Sequence, residues 1–145
     1  MVLIVAVALI VGLKPMTPAR TADDYAHKAK DTAESVLSSV QTARLAARVG
    51  TRGDAFGAYV SVMMSESETA VARAQDSFDR VQPPDRWSDA TRAHLGRILD
   101  RADEAVSRLR ITARRSELDR LQREARPLRQ IAHELSAFIE DPGPK

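Results

Sequence analysis

Residues 25–47 read YAHKAKDTAESVLSSVQTARLAA, and the spacing within this stretch decides the fold class. Apolar or small side chains recur every three or four positions, at Tyr25, Ala29, Thr32, Val36, Val40, Ala43 and Ala47. Because an α-helix turns once every 3.6 residues, this spacing places all of them on one face. The stretch is therefore predicted to be an amphipathic helix that buries this face against other helices.

This first helix is predicted to begin near Pro18 and to end within residues 50–53. Thr17 or Thr21 provides a side-chain oxygen that can cap the first turn. At the other end, Gly50 and Gly53 stand three residues apart and form a strong helix-breaking signal.

A second helix is predicted from Asp54, a natural N-cap, to the proline pair at residues 83–84. Its apolar stripe is predicted at Phe56, Val60, Met63, Ser67, Ala70, Ala74, Phe78 and Val81. Two consecutive prolines end the helix, since each lacks an N–H donor and clashes with the preceding turn.

The third helix is predicted to begin at Asp85 or Ser88, and its continuation to residue 140 has two interpretations. Residues 116–119 read Ser-Glu-Leu-Asp, a capping-box-like restart that favours a break around residues 114–116 and a fourth helix. Pro127 is expected to kink that last helix. Four helices joined by short turns predict an all-α up-down bundle. The alternative is a bundle of three helices with a long bent last helix.

The chain begins with MVLIVAVALIVGL, residues 1–13, in which no side chain is polar. As a helix this run would span roughly 20 Å, which is short of a bilayer core of about 30 Å. We interpret residues 1–19 as a signal or anchor segment and favour an uncleaved single-pass anchor. The alternative is secretion after cleavage near Ala19, where Thr17 and Ala19 provide small residues. In both cases the bundle, residues 20–140, is extracytoplasmic and is followed by a tail at residues 141–145.

Composition limits the chemistry that the chain can perform. There is no cysteine, which excludes disulfides, thiolate nucleophiles and zinc–cysteine sites. The 22 basic residues barely outnumber the 20 acidic ones, and this balance argues against nucleic acid as a partner. His27, His94 and His133 lack the Glu-x-x-His pattern of bundle metal sites. We therefore predict no catalytic, cofactor-binding or metal-binding residues and no enzymatic activity.

The most polarised stretch runs from residue 108 to residue 129. It contains eight arginines and three acidic residues. The arginines are candidates for contact with an anionic partner, since their charge is not balanced locally. They are Arg108, Arg110, Arg114, Arg115, Arg120, Arg123, Arg126 and Arg129. The competing interpretation is that arginine simply occupies solvated helix positions.

These observations predict a non-enzymatic, membrane-associated interaction or structural module of the cell envelope, with a protein partner of unknown identity. The alternative is a small-ligand-binding or sensory helical bundle. The architecture alone does not distinguish them, because a helical bundle carries many functions.

Overall fold

The computed structural model describes residues 21–52 and 57–143, and over these ranges every regular element is helical. The helices are α1 (Ala22–Arg52), α2 (Gly57–Asp79), α3 (Arg86–Arg114), α4 (Leu118–Glu124) and α5 (Arg126–Glu140). The short α4 and α5 are two parts of one bent arm, so the described residues form a four-helix bundle. The all-α prediction and the count of four helices are confirmed.

Contacts between the helices show that successive helices run antiparallel. The ring centroid of Tyr25, near the start of α1, lies 5.6 Å from that of Phe78, near the end of α2. Gln75 Nε2, late in α2, donates to the Asp100 carboxylate in the middle of α3 at 2.7 Å. Arg101 of α3 pairs with Glu134 of α5. Helices α1 and α3 contact each other at the centre, with α2 on one side and the α4–α5 arm on the other.

The core is built from alanine and aliphatic side chains with a few aromatic rings. All seven residues of the predicted α1 stripe are buried. In α2 the prediction is one position off in two places, because Met64 and Val71 are buried rather than Met63 and Ala70. Spacings of three and four both satisfy a 3.6-residue turn, so the pattern alone leaves this choice open. The predicted Asp54 cap and Phe56 lie outside the described residues.

The ends of α1 follow the predicted signals with one refinement. Thr21 caps the helix, since the Asp24 N–H donates to Thr21 Oγ1 at 3.1 Å. Gly50 does not end the helix, which continues to Arg52. Gly50 is buried where α1 approaches α2 and α4, and an added Cβ would lie 3.2 Å from both Val60 and Leu121. This glycine allows close packing.

The break between α3 and α4 is confirmed, but its chemistry differs from the predicted capping box. Ser116 has a φ of 55°, in the left-handed region. Its N–H donates to the Ala113 carbonyl at 3.0 Å, and the Glu117 N–H donates to the Thr112 carbonyl at 3.3 Å. This is the hydrogen-bond pattern of a Schellman motif that ends α3. Ser116 therefore terminates α3 instead of capping α4, and the single long helix of the alternative prediction is wrong.

The predicted kink at Pro127 is a full break. The helix stops at Glu124 and resumes at Arg126, with Pro127 in the first turn of α5. Proline suits this position because the first turn of a helix does not need its N–H. The arm bends here, and its α5 part continues along α1 and α3.

Among the helices of residues 21–52 and 57–143, none is long and apolar enough to cross a membrane. The apolar run of residues 1–13 lies outside the described residues, and its membrane role stays a prediction.

Candidate anion-binding cleft

A cleft of about 490 Å³ lies between the last turns of α1 and the junction of α4 with α5. We call it the arginine cleft. Among the described residues that line it, five of nine are arginines and none is acidic. The lining residues are Arg44, Ala47, Arg48, Thr51, Arg52, Gln122, Ala125, Arg126 and Arg129.

The fold places these arginines together through helix periodicity and one bend. Arg44, Arg48 and Arg52 follow one another at four-residue intervals, which puts them along one side of α1. Arg126 and Arg129 are three residues apart in the first turn of α5, on the opposite wall. The small side chains of Ala47 and Ala125 leave the space between the walls open.

The charges of the arginine cleft are not neutralised by ion pairs within the described residues. Each ion pair among the side chains of residues 21–52, 57–117 and 120–143 involves an arginine outside the cleft. These pairs are Arg92–Asp79, Arg101–Glu134, Arg108–Glu104, Arg110–Glu68 and Arg120–Glu117. Five guanidinium groups around one concave surface create a positive potential that attracts an anion. Guanidinium also presents donors in a geometry that matches carboxylate and phosphate oxygens.

A second, smaller groove of about 190 Å³ lies between α3 and the α4–α5 arm, and it has a different electrostatic character. We call it the paired groove. It is lined by Arg101, Glu104, Ala105, Arg108, Glu124, Pro127, Gln130 and Ile131. Arg101 donates two hydrogen bonds to the carboxylate of Glu134, and Arg108 pairs with Glu104. The hydrogen bonds from Arg101 lower the pKa of Glu134 below its ordinary value. Both arginines of this groove are therefore already paired with carboxylates.

The two ends of the bundle carry opposite charge. Antiparallel packing brings residues 41–52, 57–67 and 106–129 together at one end, which holds eleven arginines and four acidic residues. The other end, residues 21–40, 68–105 and 130–143, holds fifteen acidic and eight basic residues. At this acidic end, burial and the nearby carboxylates of Glu68 and Asp100 raise the pKa of Asp103. The arginine cleft lies at the basic end.

The structure divides the eight predicted arginines into three groups. Two of them, Arg126 and Arg129, line the arginine cleft. Three are in ion pairs, namely Arg108, Arg110 and Arg120. The remaining three, Arg114, Arg115 and Arg123, are exposed and lie outside the cleft. The structure therefore does not bring the eight arginines together at one site, because they lie on different helices and on different sides of each helix.

Sequence reasoning missed Arg44, Arg48 and Arg52, which form the other wall of the arginine cleft. Their four-residue spacing within a stretch of α1 that has no acidic residue was a usable signal. What the sequence does not contain is the pairing of the end of α1 with the start of α5, which depends on the bend at Ala125.

The histidines lie apart from the arginine cleft. His94 is half-buried, with its ring edge-on to Phe138 at 5.4 Å and Nδ1 3.2 Å from the Gly143 carbonyl oxygen. His27 and His133 are exposed. Within the described ranges, no group of three or more metal-ligand side chains comes together.

Comparison of the chain with protein-family models, with curated proteins and with solved structures finds no match. The arginine cleft is therefore interpreted from its own chemistry.

Proposed function

We propose that this chain is a non-enzymatic interaction module of the cell envelope that binds an anionic group of its partner in the arginine cleft. In this proposal residues 1–13 hold the chain in the membrane, with the bundle on the extracytoplasmic side. The alternative address is secretion after cleavage near Ala19. The observation that carries the proposal is a concave surface whose described lining contains five arginines and no acidic residue.

Two features support binding rather than a structural role for these arginines. The first is that Arg101, which connects α3 to α5, binds the carboxylate of Glu134, whereas no described ion pair occupies the cleft arginines. In addition, Arg126 lies in the first turn of α5, and no acidic residue is present in that turn. The positive end of a helix dipole favours acidic side chains, so a cation there lowers the stability of the helix. A bound anion would compensate for this cost.

The test is to measure binding of poly-L-glutamate to the full chain in a nonionic detergent, by calorimetry at several salt concentrations. We expect saturable binding that weakens steeply as salt rises, because screening reduces the attraction. Replacing Arg44, Arg48 and Arg129 by glutamine should weaken binding roughly 100-fold, at about 1 kcal/mol for each charge-assisted contact.

The matched control replaces Arg114, Arg115 and Arg123 by glutamine, which removes the same net charge from exposed positions outside the cleft. This variant should retain affinity within about threefold, since long-range attraction alone is strongly screened at physiological salt. Equal losses in the two triple variants would contradict a cleft site and indicate a diffuse basic surface.

The membrane part of the proposal has a separate test. N-terminal sequencing of the mature protein should find Met1 intact. Protease added to cells whose outer layers are permeabilised, but whose inner membrane is intact, should cleave the bundle. A mature protein that starts at Arg20 would support secretion instead. Cleavage of the bundle only after the inner membrane is lysed would contradict an extracytoplasmic address.

A small anionic ligand is the second candidate for the arginine cleft. Its volume of about 490 Å³ falls within the range of small-molecule sites. Micromolar binding of citrate or pyrophosphate, abolished by the cleft substitutions, would favour this alternative over a macromolecular partner.

A further inference from the structure

A second surface lies next to the arginine cleft, on the other side of α1. It is an apolar groove of about 160 Å³ between α1 and α2. Its lining residues are Leu45, Ala46, Val49, Tyr59, Val60 and Met63, and none is charged. Leu45 and Tyr59 are 53% and 59% exposed, and the neighbouring Val62 is 53% exposed. Large apolar side chains exposed together in this way mark an interaction surface.

The apolar groove and the arginine cleft occupy adjacent sectors of the same helix. Successive residues of an α-helix are rotated by about 100°, so the cleft and groove residues of α1 fall on neighbouring sides of the helix. Leu45 directly follows Arg44, and Val49 directly follows Arg48. Arg48 and Arg52 are exposed along the edge of the cleft that faces the groove. A segment that crosses α1 there, over roughly the 10–12 Å width of a helix, passes from one surface to the other. One partner segment that crosses this ridge reaches both.

We infer that the partner is a protein that presents an acidic segment followed by an apolar anchor. The carboxylates would bind in the arginine cleft, and the anchor side chain would be buried in the apolar groove. This inference rests on the proposed function and adds the chemistry of the occupant. Charge complementarity supports an acidic segment, because the cleft offers guanidinium donors and the described part of its lining has no competing carboxylate.

The position of the two surfaces argues for protein over anionic lipid. Arg44 and Arg52 stand 22 and 30 residues after Ala22, which is roughly 33–45 Å along the axis of α1. Both surfaces therefore lie at the C-terminal end of α1, whereas the proposed membrane segment precedes its N-terminal end in the sequence. An amphipathic surface that serves a bilayer would instead lie close to the point of attachment.

The experiment uses two synthetic peptides and the full chain in a nonionic detergent. The first peptide carries four consecutive glutamates, a spacer of four Gly or Ser residues and a Leu-Phe pair, since four extended residues span roughly 13 Å. The second peptide is identical in charge and length but has Ser-Ser in place of Leu-Phe. The first should bind at least tenfold more tightly, because burial of an apolar side chain is worth about that factor.

Substitutions then locate the two contributions. The double variant Leu45→Ser, Tyr59→Ser should reduce the preference for the Leu-Phe peptide to less than about twofold and leave affinity for the Ser-Ser peptide unchanged. The control is Trp87→Ser, Ile111→Ser, which removes apolar side chains of similar exposure, 40% and 41%, outside the groove. This control should keep the tenfold preference.

The outcomes separate the inference from the proposed function. Equal binding of the two peptides, still dependent on the cleft arginines, would overturn the inference and retain the proposed function. Absence of binding by both peptides and by poly-L-glutamate would overturn both. Binding to phosphatidylglycerol vesicles that depends on Leu45 and Tyr59, without a preference for the Leu-Phe peptide, would assign the surface to lipid and overturn the inference.

Discussion

The α4–α5 arm borders two grooves that are built from the same kinds of residue but differ in what the arginines do. On the α3 side, in the paired groove, Arg101 binds Glu134 and Arg108 binds Glu104. On the α1 side, in the arginine cleft, the described lining residues include five arginines and no carboxylate. The number of arginines is therefore a poor guide to function. The distinguishing feature is whether a nearby carboxylate already binds them.

This difference has an energetic basis. An arginine that binds a carboxylate across two exposed helices contributes only about 0.2–1 kcal/mol to stability, and it has little capacity left for an external anion. A group of arginines without carboxylates repels itself and adds nothing to stability. An external anion bound among them would relieve this repulsion. The paired groove holds the arm to α3, whereas the arginine cleft leaves positive charge available for a partner.

Charge reversal in the two grooves gives the largest expected contrast. In the arginine cleft, Arg48→Glu with Arg126→Glu should reduce the affinity for poly-L-glutamate more than 100-fold, because it replaces attraction by repulsion at the site. The matched variant Arg101→Glu with Arg108→Glu changes the net charge equally, and its affinity should stay within about threefold. Titration calorimetry of both variants at one salt concentration measures this contrast. A similar loss in both would mean that the two grooves are electrostatically equivalent.

Gly50 is a position at which the α1 wall of the arginine cleft can be displaced without changing its charge. An added Cβ would lie 3.2 Å from the methyl groups of Val60 and from Leu121 Cδ2, which is closer than ordinary contact. Gly50→Val should therefore push α1 away from α2 and α4 and destabilise the fold by about 1–3 kcal/mol. Urea unfolding followed by circular dichroism measures this change. The same displacement should weaken peptide binding, because α1 forms one wall of the arginine cleft.

Gly96 on α3 is the matched control for Gly50. A Cβ added there meets no atom within 4 Å. Gly96→Ala should stabilise the fold by about 0.5–1 kcal/mol, because alanine loses less backbone entropy than glycine in a helix. Binding should be unchanged. If both substitutions stabilise the fold equally, Gly50 is not a close-packing position.

Much of this fold could be predicted from the sequence because the helical signals are local. The three-and-four spacing of α1, the capping side chain of Thr21 and the breaks near Pro84 and Pro127 depend only on neighbouring residues. The errors arose where local signals are ambiguous. Met63 and Met64 both fit a helical stripe, and only packing against α1 and α3 decides that Met64 is buried. Ser116 matched a capping box, yet it adopts a left-handed conformation that local preference assigns to glycine.

The candidate site was only half predictable because it depends on distant residues. Arg126 and Arg129 belong to the arginine-rich stretch that the sequence singles out, whereas Arg44, Arg48 and Arg52 lie more than 70 residues earlier. The pairing of α1 with α5 brings the two groups together. Arg108 leaves the set through a local contact instead, since it pairs with Glu104 one turn earlier on the same helix. Long-range packing, rather than charge density along the chain, selects the functional arginines.

The Arg101–Glu134 pair gives the smallest expected effect and tests the paired groove through pH. The hydrogen bonds from Arg101 hold the pKa of Glu134 below its ordinary value of 4.5 in the folded protein. A carboxyl group whose pKa is lowered by folding contributes stability above its unfolded pKa and loses it as pH falls through the folded pKa.

Because Arg101 is 47% exposed, solvent screening limits the contribution to about 0.5 kcal/mol. Arg101→Gln should therefore destabilise the fold by that amount at pH 7, and the difference from the unmodified protein should diminish as pH falls below 4.5 and through the lower folded pKa of Glu134. Arg97→Gln, at an exposed position on the same helix that is outside the ion pairs described, should show no such pH-dependent difference. Urea unfolding of the three proteins at pH 7 and pH 3 measures the effect, and a loss of equal size at both pH values would mean that Arg101 stabilises α5 by packing rather than by its charge.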